Sequence, residues 1–537
     1  MIAPGSDRDA KLVRQATFRK WGLGRIAWAL AACLVLLLGF TRPAWSQTPT
    51  TPPSRPKVAL VLSGGGAMGI AHVGVIQELE RLGIRPDLIV GTSMGSVVGG
   101  LYASGMNGAE LQRAVEQMNW DAIFDPSPPR DGLSYRQKQQ QADFPVRASV
   151  GVAKRGLVPP SGLISDANLL LELRRLLRER AAVPTFDDLA IPFRAVATDI
   201  ETGHRVVLDR GELAGAMRAS MSVPGVFAPY RMNGKLLVDG GMVDNVAIDV
   251  ARDLGADVVI AVATQTPMVT GDKITSVGAV LGQTMTMLIL ANERVQLASL
   301  KPTDVLIPVE VGELTPADFK KGPAWIQKGH ESALKQEAEL RRIAAGAPAT
   351  QVAAGPPPPP VIDYVKVEND SKLADKTLLR DIEPFVGKPL DADAVVRALQ
   401  GIYAIGVFSR VDFRIEKDQG RTGLVVQAEQ KQGDATRLRL GLTIAGTGEG
   451  RSEFDVSADL RLFQLDRNGS EARFVGVLGD RKILSGEYFK VLDSRRCWFV
   501  APMLELQSRP VSTYDNDGFR LGEYRVQYAL ATLAAGR

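Results

Sequence analysis

Two glycine-rich turns follow one another closely, Ser63-Gly64-Gly65-Gly66-Ala67-Met68-Gly69 and Gly91-Thr92-Ser93-Met94-Gly95. The second offers a hydroxyl, and the first offers a bed of backbone N–H groups. Acyl transfer needs both, a nucleophile to attack a carbonyl and donors to hold the oxyanion that forms. In a G-x-S-x-G elbow the flanking glycines, here Gly91 and Gly95, let the chain bend sharply and let the following helix pass close to the strand. Ser93 is thereby pushed out at a helix N-terminus, where the dipole favours negative charge. The pentapeptide alone is weak evidence, because Gly and Ser are common. Gly64, Gly66 and Gly69 also satisfy G-x-G-x-x-G, which suits a dinucleotide pyrophosphate when an acidic residue closes the second strand. Here that strand runs into Gly91-Thr92-Ser93, so Gly64, Gly65 and Gly66 read instead as oxyanion-hole donors.

A serine hydroxyl needs a base, and the chain has three histidines, His72, His204 and His330. His330 with Asp239 or Asp304 would follow the Ser, Asp, His order of α/β-hydrolases. Gln327, Lys328, Glu331, Lys335, Glu337 and Glu339 surround it, however, and predict a charged, solvated helix with a surface histidine. His72, in the first turn of the opening helix, reads as packed or loop-supporting, and His204, in Glu201-Thr202-Gly203-His204, as exposed. Another candidate base is Asp239, where the apolar run Leu236-Leu237-Val238 enters Asp239-Gly240-Gly241. Many Asp-Gly pairs are merely turns. Asp199 and Asp244 compete for the role and read as structural.

These three blocks, in this order, resemble the patatin-like phospholipase family. Ala197-Thr198-Asp199-Ile200-Glu201-Thr202-Gly203 and Arg218-Ala219-Ser220-Met221-Ser222-Val223-Pro224-Gly225-Val226-Phe227-Ala228-Pro229 resemble further blocks of its bacterial members. The match runs over roughly residues 57 to 310. It implies a three-layer α/β/α fold with a mostly parallel sheet. It also implies a Ser93–Asp239 dyad without histidine, the Gly240-Gly241 turn behind the aspartate, phospholipid esters as substrate and no cofactor. Ser63 stands where plant members carry Asp, and Ala67-Met68 replaces their basic residue, which leaves an arginine-assisted oxyanion without support. No metal-ligand spacing stands out.

The elements that must position these groups are legible. Lys57-Val58-Ala59-Leu60-Val61-Leu62 is a continuous apolar run, as a parallel strand buried on both faces requires. Val73, Ile76, Leu79 and Leu82 then recur at helical spacing until Gly83. Asp87-Leu88-Ile89-Val90 predicts the next strand, and Val97 to Ser104 opens the next helix. Ile274 to Leu300, with Met285, Met287, Leu288, Ile289 and Leu290, reads as a long helix explained by ordinary packing, with a lid or lipid-facing role as the rival.

Outside this domain the pattern changes repeatedly. Lys11, Arg14, Arg19, Lys20 and Arg25 precede the apolar run Ile26 to Phe40 and a small-x-small site at Ala44-Trp45-Ser46, so residues 1–46 read as a signal peptide. The run is shorter than the roughly 20 residues of a spanning helix. Residues 47–56 form a linker and 57–343 the patatin-like domain. The Ala/Gly/Pro-rich stretch 344–360 cannot build a core and acts as a spacer. Cys33 lies in the leader, so Cys497 remains alone and no intrachain disulfide is expected.

Residues 361–430 read as a small βααββ unit. Gly401-Ile402-Tyr403-Ala404-Ile405-Gly406-Val407-Phe408-Ser409-Arg410-Val411 resembles a polypeptide-transport-associated (POTRA) domain. From Arg437 strict alternation begins, with Leu438, Leu440, Leu442 and Ile444 on one face, then Phe454, Val456, Ala458, Leu460 and Leu462. Residues 431–537 therefore look like part of an Omp85-type outer-membrane β-barrel. About five strands are countable, with candidates near Trp498 to Leu506 and Gly518 to Leu530 but no obvious final membrane strand at Ala535-Gly536-Arg537, against the eight or more of a closed barrel. The segment is expected to be a truncated piece. The whole architecture resembles type V autotransporters with a patatin passenger, which implies export to the outer membrane or cell surface and a homodimeric state in many members.

A net charge of +4 on 537 residues, with no basic tract interleaved with aromatics, gives no case for nucleic acid. Two rivals stay open, a non-enzymatic outer-membrane assembly or translocation factor with a degenerate hydrolase domain, and a general esterase or thioesterase.

Overall fold

The computed structural model describes residues 55–124, 150–153, 156–158, 167–177, 183–264, 267–345, 359–431, 436–446 and 452–536. The expected signal peptide and most of the two linkers lie outside the described residues.

The N-terminal half is built on an eight-stranded sheet. Val305–Val309, Val258–Thr264, Val58–Leu62, Leu88–Thr92 and Phe193–Asp199 run parallel in that spatial order. Lys235–Asp239 then pairs antiparallel with Phe193–Asp199, and Tyr230–Met232 and Arg205–Leu208 complete the sheet. The central strands Val58–Leu62 and Leu88–Thr92 are buried along their whole length, as their unbroken apolar sequence requires. Helices cover both faces, and two apolar cores lie on opposite sides of the sheet: Leu60, Leu62 and Ile89 point into one, Ala59, Val61 and Val90 into the other. The antiparallel return of Lys235–Asp239 matters most for chemistry. Thr92 is level with Val196, and Ala197 with Asp239, so the register sets Asp239 beside the start of the elbow.

Two helices depart from what their composition suggests. Gly322–Leu334, expected to be solvated, is packed tightly on Ala71–Arg81. A Cβ at Gly329 would lie 1.9 Å from the Ala71 carbonyl oxygen, and one at Gly74 2.0 Å from that of Ile326. His330 is accordingly partly buried, its Nδ1 3.0 Å from the Glu78 carboxylate. Of the residues read as one charged helix, Lys328 and Glu331 lie on Gly322–Leu334 away from the buried Trp325, Ile326 and Gly329, whereas Glu337 and Glu339 belong to a separate helix, Glu337–Ala344.

The apolar segment gives the opposite correction. Val277–Leu297 is a 21-residue helix with Ser276 as its N-cap, yet Glu293 is its one buried residue. Val277, Val280, Leu281, Met287 and Leu288 are exposed, so ordinary packing does not account for it. Among the described residues no helix is long and apolar enough to cross a membrane.

Beyond the spacer, Tyr364–Asn369 runs parallel to Arg421–Gln430, which pairs antiparallel with Phe408–Asp418. Helices Asp375–Ile382 and Ala392–Tyr403 bury Leu378, Val395, Leu399 and Ile402 against Phe408, Val411 and Leu424. Leu171 of the Ala167–Leu177 helix joins that core, and Arg174 on the same helix lies 2.9 Å from Asp412.

The C-terminal region is an open antiparallel sheet. It has six strands where about five were expected: Thr436–Gly446, Ser452–Leu462, Glu471–Gly479, Lys482–Val491, Phe499–Tyr514 and Arg520–Gly536. The candidate near Gly518 to Leu530 is the strand Arg520–Gly536, and it runs on to Gly536 where no final strand was obvious, because Ala531, Ala534, Ala535 and Gly536 dilute the alternation. The hairpin Val150–Ala153 and Gly156–Val158 extends the other edge, pairing with Thr436–Gly446. The apolar face is the exposed one, with Leu440, Leu442, Phe454, Leu478, Leu484 and Leu504 outward. Asp459 and Arg461 are buried on the other face, 2.9 Å apart, and Arg473 approaches the same carboxylate at 3.3 Å.

Candidate active site

Ser93 sits where strand Leu88–Thr92 breaks into helix Met94–Ala103, with φ 52° and ψ −124°. A non-glycine residue at positive φ is strained, and it is held here by its surroundings. Its amide donates to Ser220 Oγ at 2.9 Å, and Ser220 in turn donates to the Val196 carbonyl at 2.5 Å. The elbow also requires backbone to meet backbone. A Cβ at Gly95 would lie 2.3 Å from the Leu62 carbonyl oxygen, and one at Gly91 2.4 Å from that of Gly95.

Ser93 Oγ donates to Asp239 Oδ2 at 2.6 Å. The other carboxylate oxygen accepts the Gly241 amide at 2.8 Å, and the Asp239 carbonyl accepts from Thr198 Oγ1 at 2.9 Å. Gly240 lets this turn press on the sheet, since a Cβ there would lie 2.2 Å from the Val196 carbonyl oxygen. Ser93 and Asp239 are both buried. Burial raises the Asp239 carboxyl to about 6, opposed by its bonds to Ser93 and Gly241 and by the nearby Arg218 cation. Arg218 is wholly buried, 2.6 Å from Ser222 Oγ and 4.6 Å from the centre of the Phe227 ring.

No imidazole among the described residues hydrogen-bonds to Ser93. His72 is buried, and burial lowers it to about 4, so it is neutral and donates from Nε2 to the Ser63 carbonyl at 2.8 Å. It supports the glycine loop. His204 is exposed, and His330 is engaged with Glu78. Asp199 accepts the Glu201 amide in a turn, Asp244 pairs with Arg205, and Asp304 with Arg252.

The glycine loop is held from both ends. Thr264 Oγ1 donates to the Gly64 carbonyl, and the Thr264 amide donates to Ser63 Oγ at 2.9 Å. Gly65 has φ 146° and Gly66 φ 60°, conformations that side chains disfavour. The three glycines expected to act as donors are not equivalent. The Gly64 amide is directed to Asn245 Oδ1 at 3.1 Å, while those of Gly65 and Gly66 have no such partner among the described residues. Asn245, Ser220, Thr264 and Glu293 form the supporting layer that sequence reasoning missed, because none carries a spacing that singles it out. Among the described residues no group of three His, Cys, Asp or Glu could hold a metal ion.

Residues 60–252 match the model of the patatin-like phospholipase family. The chain is 35% identical over 212 residues to an NTE family protein of Mycobacterium bovis, covering 39% of this chain and 49% of that one. It is 33% identical over 207 residues to patatin-like phospholipase domain-containing protein 7 of Rattus norvegicus, covering 38% of this chain and 13% of that protein. Among solved structures it resembles VipD from Legionella pneumophila, at 16% identity over 54% of this chain and 67% of that one, with a TM-score of 0.30. The chain thus spans about half the length of the mycobacterial relative and far less of the rat one. Its N-terminal half contains a patatin-like phospholipase domain.

Proposed function

We propose that this chain is an exported lipid acyl hydrolase in which Ser93 is the nucleophile and Asp239 its general base. The observation that carries the reading is the 2.6 Å bond from Ser93 Oγ to Asp239 in a site without a histidine partner. Ser93 Oγ attacks the ester carbonyl as its proton passes to Asp239 Oδ2. The oxyanion is held by the Gly65 and Gly66 amides of the glycine loop beside the elbow. The protonated carboxyl then gives its proton to the leaving alcohol, and water, deprotonated by the same carboxylate, releases the acyl group and restores Ser93. An ordinary aspartate is a feeble base near neutrality. Burial makes this one stronger while leaving it ionised above about pH 6.

The family and the exposed apolar helix at the site support a phospholipid substrate presented at a membrane surface, cleaved as by a phospholipase A. The 361–430 unit is read as a POTRA domain. The open sheet, apolar outside and charged within, is read as part of an Omp85-type barrel that displays or secretes the enzyme at the outer membrane. Ser93→Ala and Asp239→Ala are each expected to lower hydrolysis of a phospholipid or short-chain ester by at least about 10³-fold in a folded protein. A fluorophosphonate probe should label Ser93 in the wild type. Near-normal turnover in either variant would refute the dyad, and an unlabelled, inactive wild type would favour the non-enzymatic assembly factor.

A further inference from the structure

The Val277–Leu297 helix turns one buried side chain inward, and it is a carboxylate. Glu293 Oε2 accepts from Asn245 Nδ2 at 3.0 Å, and Asn245 Oδ1 accepts from the Gly64 amide at 3.1 Å. The preceding residue, Asn292, donates from Nδ2 to the Met242 carbonyl at 3.0 Å, directly after the Gly240-Gly241 turn. Two successive residues of one helix therefore hold the two loops that meet at Ser93.

We propose that Glu293, acting through Asn245, is a positioning residue for the glycine loop that stabilises the oxyanion; the proposal rests on the hydrolase reading above. The chemistry of the Asn245 amide is the reason. Its two ends are nearly the same shape, so the loop needs something to fix which end faces Gly64. Only the oxygen can accept the Gly64 N–H, and the amide turned over would set donor against donor. Glu293 offers acceptors alone when ionised, and it retains an acceptor when protonated, so it draws the NH₂ end and leaves the oxygen facing the loop. Burial makes the choice decisive, because Asn245 and Glu293 are both only 4% exposed and water cannot replace a lost partner. The held atom adjoins the nucleophile: a Cβ at Gly64 would lie 2.9 Å from Ser93 Cβ and 2.7 Å from Asn245 Oδ1. With Gly64 committed to Asn245 and its carbonyl to Thr264, the loop backbone is fixed on both sides, and Gly65 and Gly66 are the amides left to meet developing charge.

The test compares Glu293→Gln, which retains an acceptor for Asn245, with Glu293→Leu, which fills the space without one. On a soluble short-chain ester the leucine variant should lose roughly 10- to 100-fold in kcat at nearly unchanged KM, since the effect falls on the transition state. The glutamine variant should stay within about threefold of wild type. Amide hydrogen exchange in the segment containing Gly64 should quicken in the leucine variant alone. If that variant does not fold, Asn245→Ala carries the same two expectations. A leucine variant within about threefold of wild type, a glutamine variant as slow as the leucine one, or unchanged exchange at Gly64 would each overturn the proposal. Fluorophosphonate labelling of wild-type Ser93 separates the two readings: labelled wild type with an unaffected leucine variant removes the positioning role alone, whereas unlabelled wild type removes the hydrolase reading on which it rests.

Discussion

The helices Gly322–Leu334 and Val277–Leu297 belong to the same α/β domain and reverse what their compositions suggest. The first, read as solvated because Lys328 and Glu331 and the charged residues after it surround His330, is locked against the Ala71–Arg81 helix through Gly74 and Gly329. The second is almost uncharged from Val277 to Asn292 and leaves its apolar side chains exposed. A helix packs through the shape of one narrow stripe, so a few glycines at the crossing outweigh the charge of the remaining faces. Apolar content does not by itself supply a surface to pack against.

The difference can be broken first at the crossing. Gly329→Val would force a side chain into the Ala71 carbonyl, and a loss of roughly 3 kcal/mol or more is expected, read as a large drop in the denaturation midpoint or no folded protein. A mild effect would show that the two helices are not in close contact.

In the same domain, at the site, Asp239 carries a cost that pH reveals. Its carboxyl is raised to about 6 in the folded chain, against about 4 unfolded. The folded state therefore holds its proton more tightly. No cost applies below about pH 4; it grows as pH rises through about 6 and is complete above. Asp239→Asn should be more stable than wild type by roughly 2 kcal/mol at pH 8, with the two converging near pH 4. Hydrolysis by the wild type should rise through about pH 6 to a plateau, because the base works as the carboxylate. Activity that falls over that interval would contradict the assignment.

The exposed helix is sharpened by a smaller effect. Leu281→Ser with Met287→Ser should slow turnover of phospholipid vesicles about tenfold while leaving a soluble ester unchanged, if these side chains enter a lipid surface. Equal losses on both substrates would assign them to the fold instead. The smallest change is expected at Gly282, where an added Cβ meets nothing within 4 Å. Gly282→Ala should stabilise the helix by about 0.5–1 kcal/mol, in thermal or urea unfolding, the reverse of Gly329→Val.

Two of the parallel strands, Val58–Leu62 and Leu88–Thr92, and the two glycine turns were legible because such buried apolar runs need no partner information to be recognised. The alternation of the C-terminal strands was legible for a related reason, since period two is local to each strand. The end of Arg520–Gly536, past Leu530, escaped because alanine and glycine weaken that period. Of the site, the sequence singled out Ser93 and Asp239 but treated Gly64, Gly65 and Gly66 alike. Gly64 differs only because Asn245, distant in the chain, takes its amide.

By itself the sequence determined which residue types stand at the bends and that segments such as Val58–Leu62 and Val277–Leu297 are a strand and a helix, because turn geometry and hydrophobic period are properties of neighbours along the chain. The tertiary structure alone decided that an antiparallel return brings Asp239 to 2.6 Å from Ser93, that a charged helix is packed while an apolar one is exposed, and that Glu293 reaches Asn245. Those outcomes depend on register and helix crossing, which are set by the fit of surfaces far apart in sequence and leave no periodic trace in it.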